Sequence, residues 1–154
     1  MEKTVKRGRQ YALRLLTIKD RTTNELADRL RRKGFNEDVI DNVIAEMQDL
    51  GYVDDKKYAM HFAQLRATCN KFGPYRIRIE LEKRGISKDM AEDTVMRIFQ
   101  EGREEANALE VAKQWIARKG IDDREKALRR LYAYLARRGF APDIIRKTIR
   151  EVLK

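Results

Sequence analysis

Among 154 residues the chain has one cysteine, Cys69, and one histidine, His61. A lone cysteine excludes a disulfide framework and a CxxC metal site. A lone histidine, with no second His, Cys or acid at ligand spacing, argues against zinc chemistry. His61 is therefore read as structural or solvent-facing. Proline is limited to 2 residues and glycine to 8, so few positions interrupt a helix. No segment has the apolar length to span a bilayer, and the stretch from Met1 to Gly8 lacks the apolar core of a leader. A cytoplasmic protein without membrane contact is expected. Phosphate-cradling GxxxxGK(S/T), a GxGxxG after a strand and a GxSxG elbow are all missing. The acidic pairs Asp54-Asp55 and Asp122-Asp123 open helices, where Asp serves as a cap rather than as a metal ligand. The expectation is no enzyme and no cofactor.

What the chain does have is charge. Charged residues make up 39% against 42% hydrophobic, a balance that suits several small cores in a row better than one large one. The net charge of +10 points to a polyanionic partner, either nucleic acid or a protein that coats it. A basic surface that merely keeps a helical protein soluble is the bland alternative.

A repeat of about fifty residues organises the sequence. Leu26-x3-Leu30-x2-Lys33-Gly34-Phe35 recurs as Ile77-x3-Leu81-x2-Arg84-Gly85-Ile86 and as Leu131-x3-Leu135-x2-Arg138-Gly139-Phe140. An acid follows each (Asp38, Asp89, Asp143), then an apolar pair. The physical content is a helix, a glycine stop at C′ with positive φ, and a capped second helix. Asn36 and Ser87 are the N-caps, with Ala141-Pro142 in the third copy. Thr22-x-x-Glu25 and Asp122-x-x-Glu125 read as capping boxes, and Gly73-Pro74 as the start in the middle repeat. A further helix precedes each pair. Its apolar stripe is Tyr11, Ala12, Leu15, Leu16 and Ile18 in the first repeat, and Tyr58, Phe62, Leu65, Cys69 and Phe72 in the second. In the third it is Ala108, Ala112, Trp115 and Ile116. Cys69 is thereby expected in the core. The fold expected is all-α, an elongated tandem array of three three-helix repeats with about nine helices. The units are residues 1–53, 54–104 and 105–154, joined by short polar segments that leave some flexibility.

Charge is unevenly spread along this array. Residues 1–57 carry +2, residues 58–107 carry +1, and residues 108–154 carry +7. In the last repeat Lys126, Arg130, Tyr134 and Arg137 share one helix face, flanked by Arg129 and Arg138. Arg146, Lys147 and Arg150 follow on the next helix. Basic residues around an aromatic suit phosphate contact with stacking. Three-helix units also resemble helix-turn-helix DNA readers. However, the last helix of the first repeat holds Glu37, Asp38, Asp41, Glu46 and Asp49 with no Lys or Arg, which the phosphate backbones repel.

Gly51-Tyr52-Val53-Asp54-Asp55, Tyr58-Ala59, Phe62, Arg66, Gly73-Pro74, Arg76-Ile77, Glu80-Leu81 and Arg84-Gly85-Ile86 together resemble the hallmark stretch of the RecX family. The resemblance spans residues 11–153, strongest over 51–86. It implies a non-catalytic partner of the RecA–DNA filament, and the chain is expected to be a monomer. Such a protein modulates, and most often inhibits, RecA's ATPase, strand exchange and the co-protease activity of the SOS response. The net charge of +10, apart from the resemblance, leads to an expectation of weak, non-specific binding to single- and double-stranded DNA. The alternative is a DNA-binding protein acting independently of RecA. Within the motif Gly51 is read as a helix end, Tyr52 as packed and Asp54 as a cap, with Arg66, Arg76 and Arg84 as added contact candidates.

Overall fold

The computed structural model describes residues 2–154, so Met1, the first residue of the N-terminal unit and of the segment read for a leader, lies outside it. The described residues form nine α-helices and no strand. They are α1 (Glu2–Ile18), α2 (Thr23–Lys33), α3 (Glu37–Asp49), α4 (Asp55–Cys69), α5 (Pro74–Lys83), α6 (Lys88–Ile98), α7 (Arg103–Lys119), α8 (Arg124–Arg137) and α9 (Pro142–Val152). Buried residues fall into three separate clusters, one for each consecutive helix triplet. Among the described residues no helix is long and apolar enough to cross a membrane.

Local chemistry sets most boundaries. Gly34, Gly85 and Gly139 take φ of +105°, +92° and +98°, the left-handed stop that the repeat pattern requires. Thr22 and Glu25 form the full capping box, and Asn36, Asp54 and Ser87 cap α3, α4 and α6. Before α8 the cap is Asp123, which accepts from the Lys126 N–H, one residue later than the Asp122-x-x-Glu125 reading.

Two apolar stripes differ from expectation. The buried face of α4 is Ala59, Ala63 and Ala67, all fully buried, while Leu65 is half exposed and Cys69 is exposed. Tyr58 and Phe62 only pack against the edge of that core. Three alanines four residues apart let neighbouring helices approach closely, and the larger side chains are displaced to the adjacent face. In α1 the contact runs through Gly8, Ala12 and Leu15, and Ile18 is 70% exposed. The helix begins at Glu2, about two and a half turns before Tyr11, and a Cβ on Gly8 would lie 3.1 Å from Val43, so a glycine seats it on α3. Likewise Val53, not Tyr52, is the packed residue after Gly51, and Tyr52 is 55% exposed.

The joints are closed by more than short linkers. Gly73 offers no side-chain cap to α5, so its N–H donates to the Arg138 carbonyl at 2.8 Å, and the Tyr75 N–H to the Gly139 carbonyl at 3.0 Å. Unsatisfied ends of α5 and α8 thus satisfy each other, with opposite dipole ends meeting. At the other joint the Thr22 hydroxyl donates to the Arg84 carbonyl at 2.6 Å. Asp55, the second acid of its pair, accepts from both the N–H and the hydroxyl of Thr23 at 2.8 Å. Asn107 and Arg103 of α7 add bonds to the Ala67 carbonyl (3.1 Å) and the Thr68 hydroxyl (2.7 Å) of α4.

Helix α9 shows the same substitution of tertiary for local capping. Ala141 has no capping side chain, and its N–H donates to Glu104 of α7 at 2.9 Å. Burial pushes the Glu104 carboxyl above its usual range, against the lowering effect of that bond. A raised folded pKa stabilises the fold below the unfolded value and is lost as pH rises through the folded one. Glu104→Gln keeps an acceptor without a charge to desolvate. It is expected to melt at or above the parent temperature at pH 7, with the advantage vanishing toward pH 4. Glu104→Ala strands the Ala141 N–H and is expected to cost about 1–2 kcal/mol. Thermal melts of both variants at the two pH values check this.

Candidate nucleic-acid interface

Helices α8 and α9 carry the charge of the third repeat outward. Lys126, Arg129, Arg130, Arg137, Arg146 and Arg150 are all exposed. Lys126, Arg130 and Arg137 line an open groove of about 580 Å³ beside Trp115 and Lys119 of α7. Lys119 belongs to this face and was not picked out by the periodicity of α8. Asp122 and Asp123 also line the groove and moderate its charge.

Tyr134 and Arg138 do not share that groove. An i,i+4 step advances about 40° around a helix, so two steps from Lys126 carry Tyr134 well round the surface, whereas Arg137 returns beside Lys126. Tyr134 and Arg138 line a second groove of about 740 Å³ with Asn70, Lys71, Gln114 and Arg118. This groove follows the seam between the second and third helix triplets. The Tyr134 hydroxyl accepts from Arg118 and from Arg138, both at 3.4 Å. Burial pushes its phenol up, but the bonds and charges of Arg118 and Arg138 outweigh this and leave it lowered.

The structure joins two of the third-repeat candidates, Tyr134 and Arg138, to the second-repeat candidates Arg66, Arg76 and Arg84, and leaves Lys126, Arg129, Arg130, Arg137, Arg146 and Arg150 apart from them. The guanidiniums of Arg66 and Arg84 lie over the Phe62 ring at 4.8 and 4.5 Å. Those of Arg76 and Arg138 lie over Phe72 at 3.8 and 4.9 Å, and Arg138 also lies over Tyr134 at 5.6 Å. Between the two groups stands Glu80, 3.9 Å from Arg66 Nε and 3.8 Å from Arg76 Nε. Arg138 further donates to the Asn70 carbonyl across the seam. The result is a ladder of alternating arginines and rings from Arg84 to Arg118, with Glu80 as its acid. Phe72 is buried in the core, as its place in the stripe predicts, and Phe62 packs against it; the sequence reading gave no contact role to either ring or to Arg118, and it named Glu80 only within the family stretch. The visible signal was an arginine four residues after each phenylalanine, Phe62–Arg66 and Phe72–Arg76. Arg78 and Lys71 nearby are paired with Glu82 at 3.7 Å and Glu110 at 3.5 Å.

Among the described residues no group of three or more His, Cys, Asp and Glu gathers to hold a metal ion. Three seam-linked helix triplets define an all-α helical-repeat protein. The chain matches, in order, the models described as the first (residues 9–47), second (54–95) and third (103–149) three-helix domains of RecX. Regulatory protein RecX of Chlorobium phaeobacteroides (strain BS1) is 33% identical over 150 residues, spanning 97% of this chain and 95% of that one. Its counterpart in Amycolatopsis mediterranei (strain U-32) is 29% identical over 153 residues, spanning 99% and 87%. The crystal structure of RecX from Lactobacillus salivarius superposes with a TM-score of 0.89 at 27% identity, covering 99% of this chain and 98% of that one. The chain belongs to the RecX family, and it is a regulatory protein by that membership.

Proposed function

We propose that this chain binds the RecA filament on DNA in the cytoplasm and restrains RecA's ATP hydrolysis, strand exchange and co-protease activity, without catalysis of its own. The observation that carries the reading is end-to-end agreement with the three RecX domains, the third of which presents an exposed basic face. A filament of RecA on DNA offers phosphates and acidic protein surface together. A basic stripe speeds encounter with such a target and adds affinity. Acidic α3 argues against groove reading by the first triplet, because Glu37, Asp38, Asp41 and Asp49 are all exposed.

The test is RecA's single-strand-DNA-dependent ATPase with substoichiometric chain added. The expected result is a loss disproportionate to the amount added, as filament binding or capping requires. A linear one-to-one loss means sequestration of free RecA, and no loss at all sinks the reading.

A further inference from the structure

Where the first helix triplet meets α4 lies a groove of about 470 Å³ that neither the caps nor the basic third repeat explains. It is lined by Arg21, a residue only 8% exposed. A buried arginine ordinarily has a carboxylate beside it, because an uncompensated charge held out of water is costly. Among the described residues no acid comes within ion-pair distance of Arg21. Its Nε reaches only the Leu15 carbonyl at 3.5 Å, outside the usual range of such a bond. Its terminal nitrogens are not sealed in, for the buried nitrogens without a partner among the described residues are those of Arg66, Arg84 and Arg138. A structural role near the last carbonyls of α1 uses Nε and leaves the rest of the fork to the groove.

The other walls are apolar. Along α4, Tyr58, Phe62 and Leu65 fall at i, i+4 and i+7 and line the groove, the stripe that the alanines displaced from their own core. The Tyr58 and Phe62 rings stack at 6.2 Å with 9° between their planes. Tyr52 joins them from the α3–α4 connection, and the side chains nearest solvent are Tyr52 and Leu65, 55% and 47% exposed. Asp20, Asp54, Lys57 and His61 are also present. Asp54 is engaged as the cap of α4, accepting from the Lys57 N–H at 3.1 Å.

We propose that this groove seats a segment of a partner protein in which one carboxylate stands beside a large apolar side chain. The carboxylate completes Arg21, whose planar fork matches both oxygens at once. The apolar neighbour covers Tyr52 and Leu65, which the fold leaves in water. A strand of phosphates fits less well. Asp20 and Asp54 balance Arg21 and Lys57, so the groove has no net charge with which to hold several anions in a row. Residues 1–57 carry only +2 against +7 for residues 108–154, which draws nucleic acid to the far end of the array. The inference rests on the filament reading and deepens it. Phosphates are met by α8 and α9, and the protein that coats them is met by this groove.

Two measurements on the full chain test it. In the first, RecA is absent, and amide chemical shifts are followed as the peptide acetyl-Gly-Leu-Glu-Phe-Gly-amide is added to millimolar concentration. Shifts are expected to gather at residues 20–21, 51–54 and 57–65. Glutamine in place of the peptide's glutamate should weaken binding about tenfold, as loss of a charged hydrogen bond requires. Arg21→Lys keeps the charge, loses the fork and should weaken it a fewfold. In the second, Tyr52→Ser with Leu65→Ser, both exposed and so not needed for folding, is compared with the parent. Its affinity for RecA filaments, by co-sedimentation, should fall about fivefold or more with the lost apolar contact. Its affinity for labelled oligo(dT) should stay within about twofold, since no charge has changed. Ile79→Ser with Met96→Ser, exposed and outside the groove, should match the parent in both. Four results overturn the proposal: no shifts or shifts elsewhere, a Gln peptide that binds as well, inorganic phosphate that displaces the peptide at equal concentration, or a folded Tyr52–Leu65 variant with undiminished filament affinity. A parent chain that ignores RecA filaments, while the variant loses the peptide, refutes the regulatory reading and leaves the groove standing.

Discussion

Gly139→Val is expected to destabilise the chain by about 2–5 kcal/mol, combining the left-handed penalty with overpacking of a tight contact. A Cβ at this position would lie 2.4 Å from the Arg76 backbone nitrogen, and the Gly139 carbonyl accepts from Tyr75. The second and third triplets should therefore loosen together. Gly34→Val meets no atom within 4 Å and should cost only the backbone term, about 1–2 kcal/mol, confined to the first triplet. Gly85→Val should fall with Gly139→Val, because its Cβ would lie 2.2 Å from Asn24 Cβ of α2. The repeat pattern by itself suggests that each glycine serves its own unit. The structure changes that expectation, since two of the three glycines are also the floor on which the preceding triplet sits. Denaturant melts with hydrogen exchange resolved by segment check this. Equal losses for all three variants would contradict the seam geometry.

Reversing the charge of the exposed third-repeat face is expected to have the largest functional effect. Arg130→Glu, Arg137→Glu, Arg146→Glu and Arg150→Glu together change the local charge by eight units on side chains that are all exposed. Helicity should be spared, because exposed charges contribute little to folding. Affinity for the RecA–DNA filament should fall by at least tenfold at low ionic strength, and inhibition of the ATPase with it. The deficit should shrink at high salt, where charges beyond a few ångströms are screened. Circular dichroism confirms folding, and co-sedimentation with filaments at two salt concentrations measures the loss. The control reverses Arg29, Arg31 and Arg32, where Arg31 already pairs with Glu37 at 2.6 Å and Asp28 at 2.9 Å. If the control is the variant that fails to inhibit RecA, the basic face of α8 and α9 is not the contact.

Both predictions separate interactions within a few residues from those across the chain. The repeat glycines, the Thr22–Glu25 box and the caps at Asn36, Asp54 and Ser87 were legible because each bond closes within a turn. Misreadings cluster where side-chain size misleads. In α4 the large stripe drew attention, while the core used the small methyls of Ala59, Ala63 and Ala67. Alanine gives little signal to a periodicity reading, yet it sets how closely two helices approach.

The candidate interface divides in the same way. That the third repeat carries the charge, and that Lys126, Arg130 and Arg137 share a face, follows from composition and helical spacing. That Arg66, Arg76 and Arg84 join Arg138 in one ladder does not. By itself the sequence determined three helical repeats, their glycine stops, the caps at Thr22, Asn36, Asp54 and Ser87, the lack of catalytic motifs and the basic third unit. Tertiary structure alone decided how the repeats join: Thr22 reaches the Arg84 carbonyl 62 residues away, and Arg138 reaches Asn70 across 68. The physical reason is range. Helix caps are satisfied by neighbours a few residues away, which the sequence displays side by side. The ends of α5 and α9 lack such neighbours, and only folding shows which distant carbonyl or carboxylate completes them.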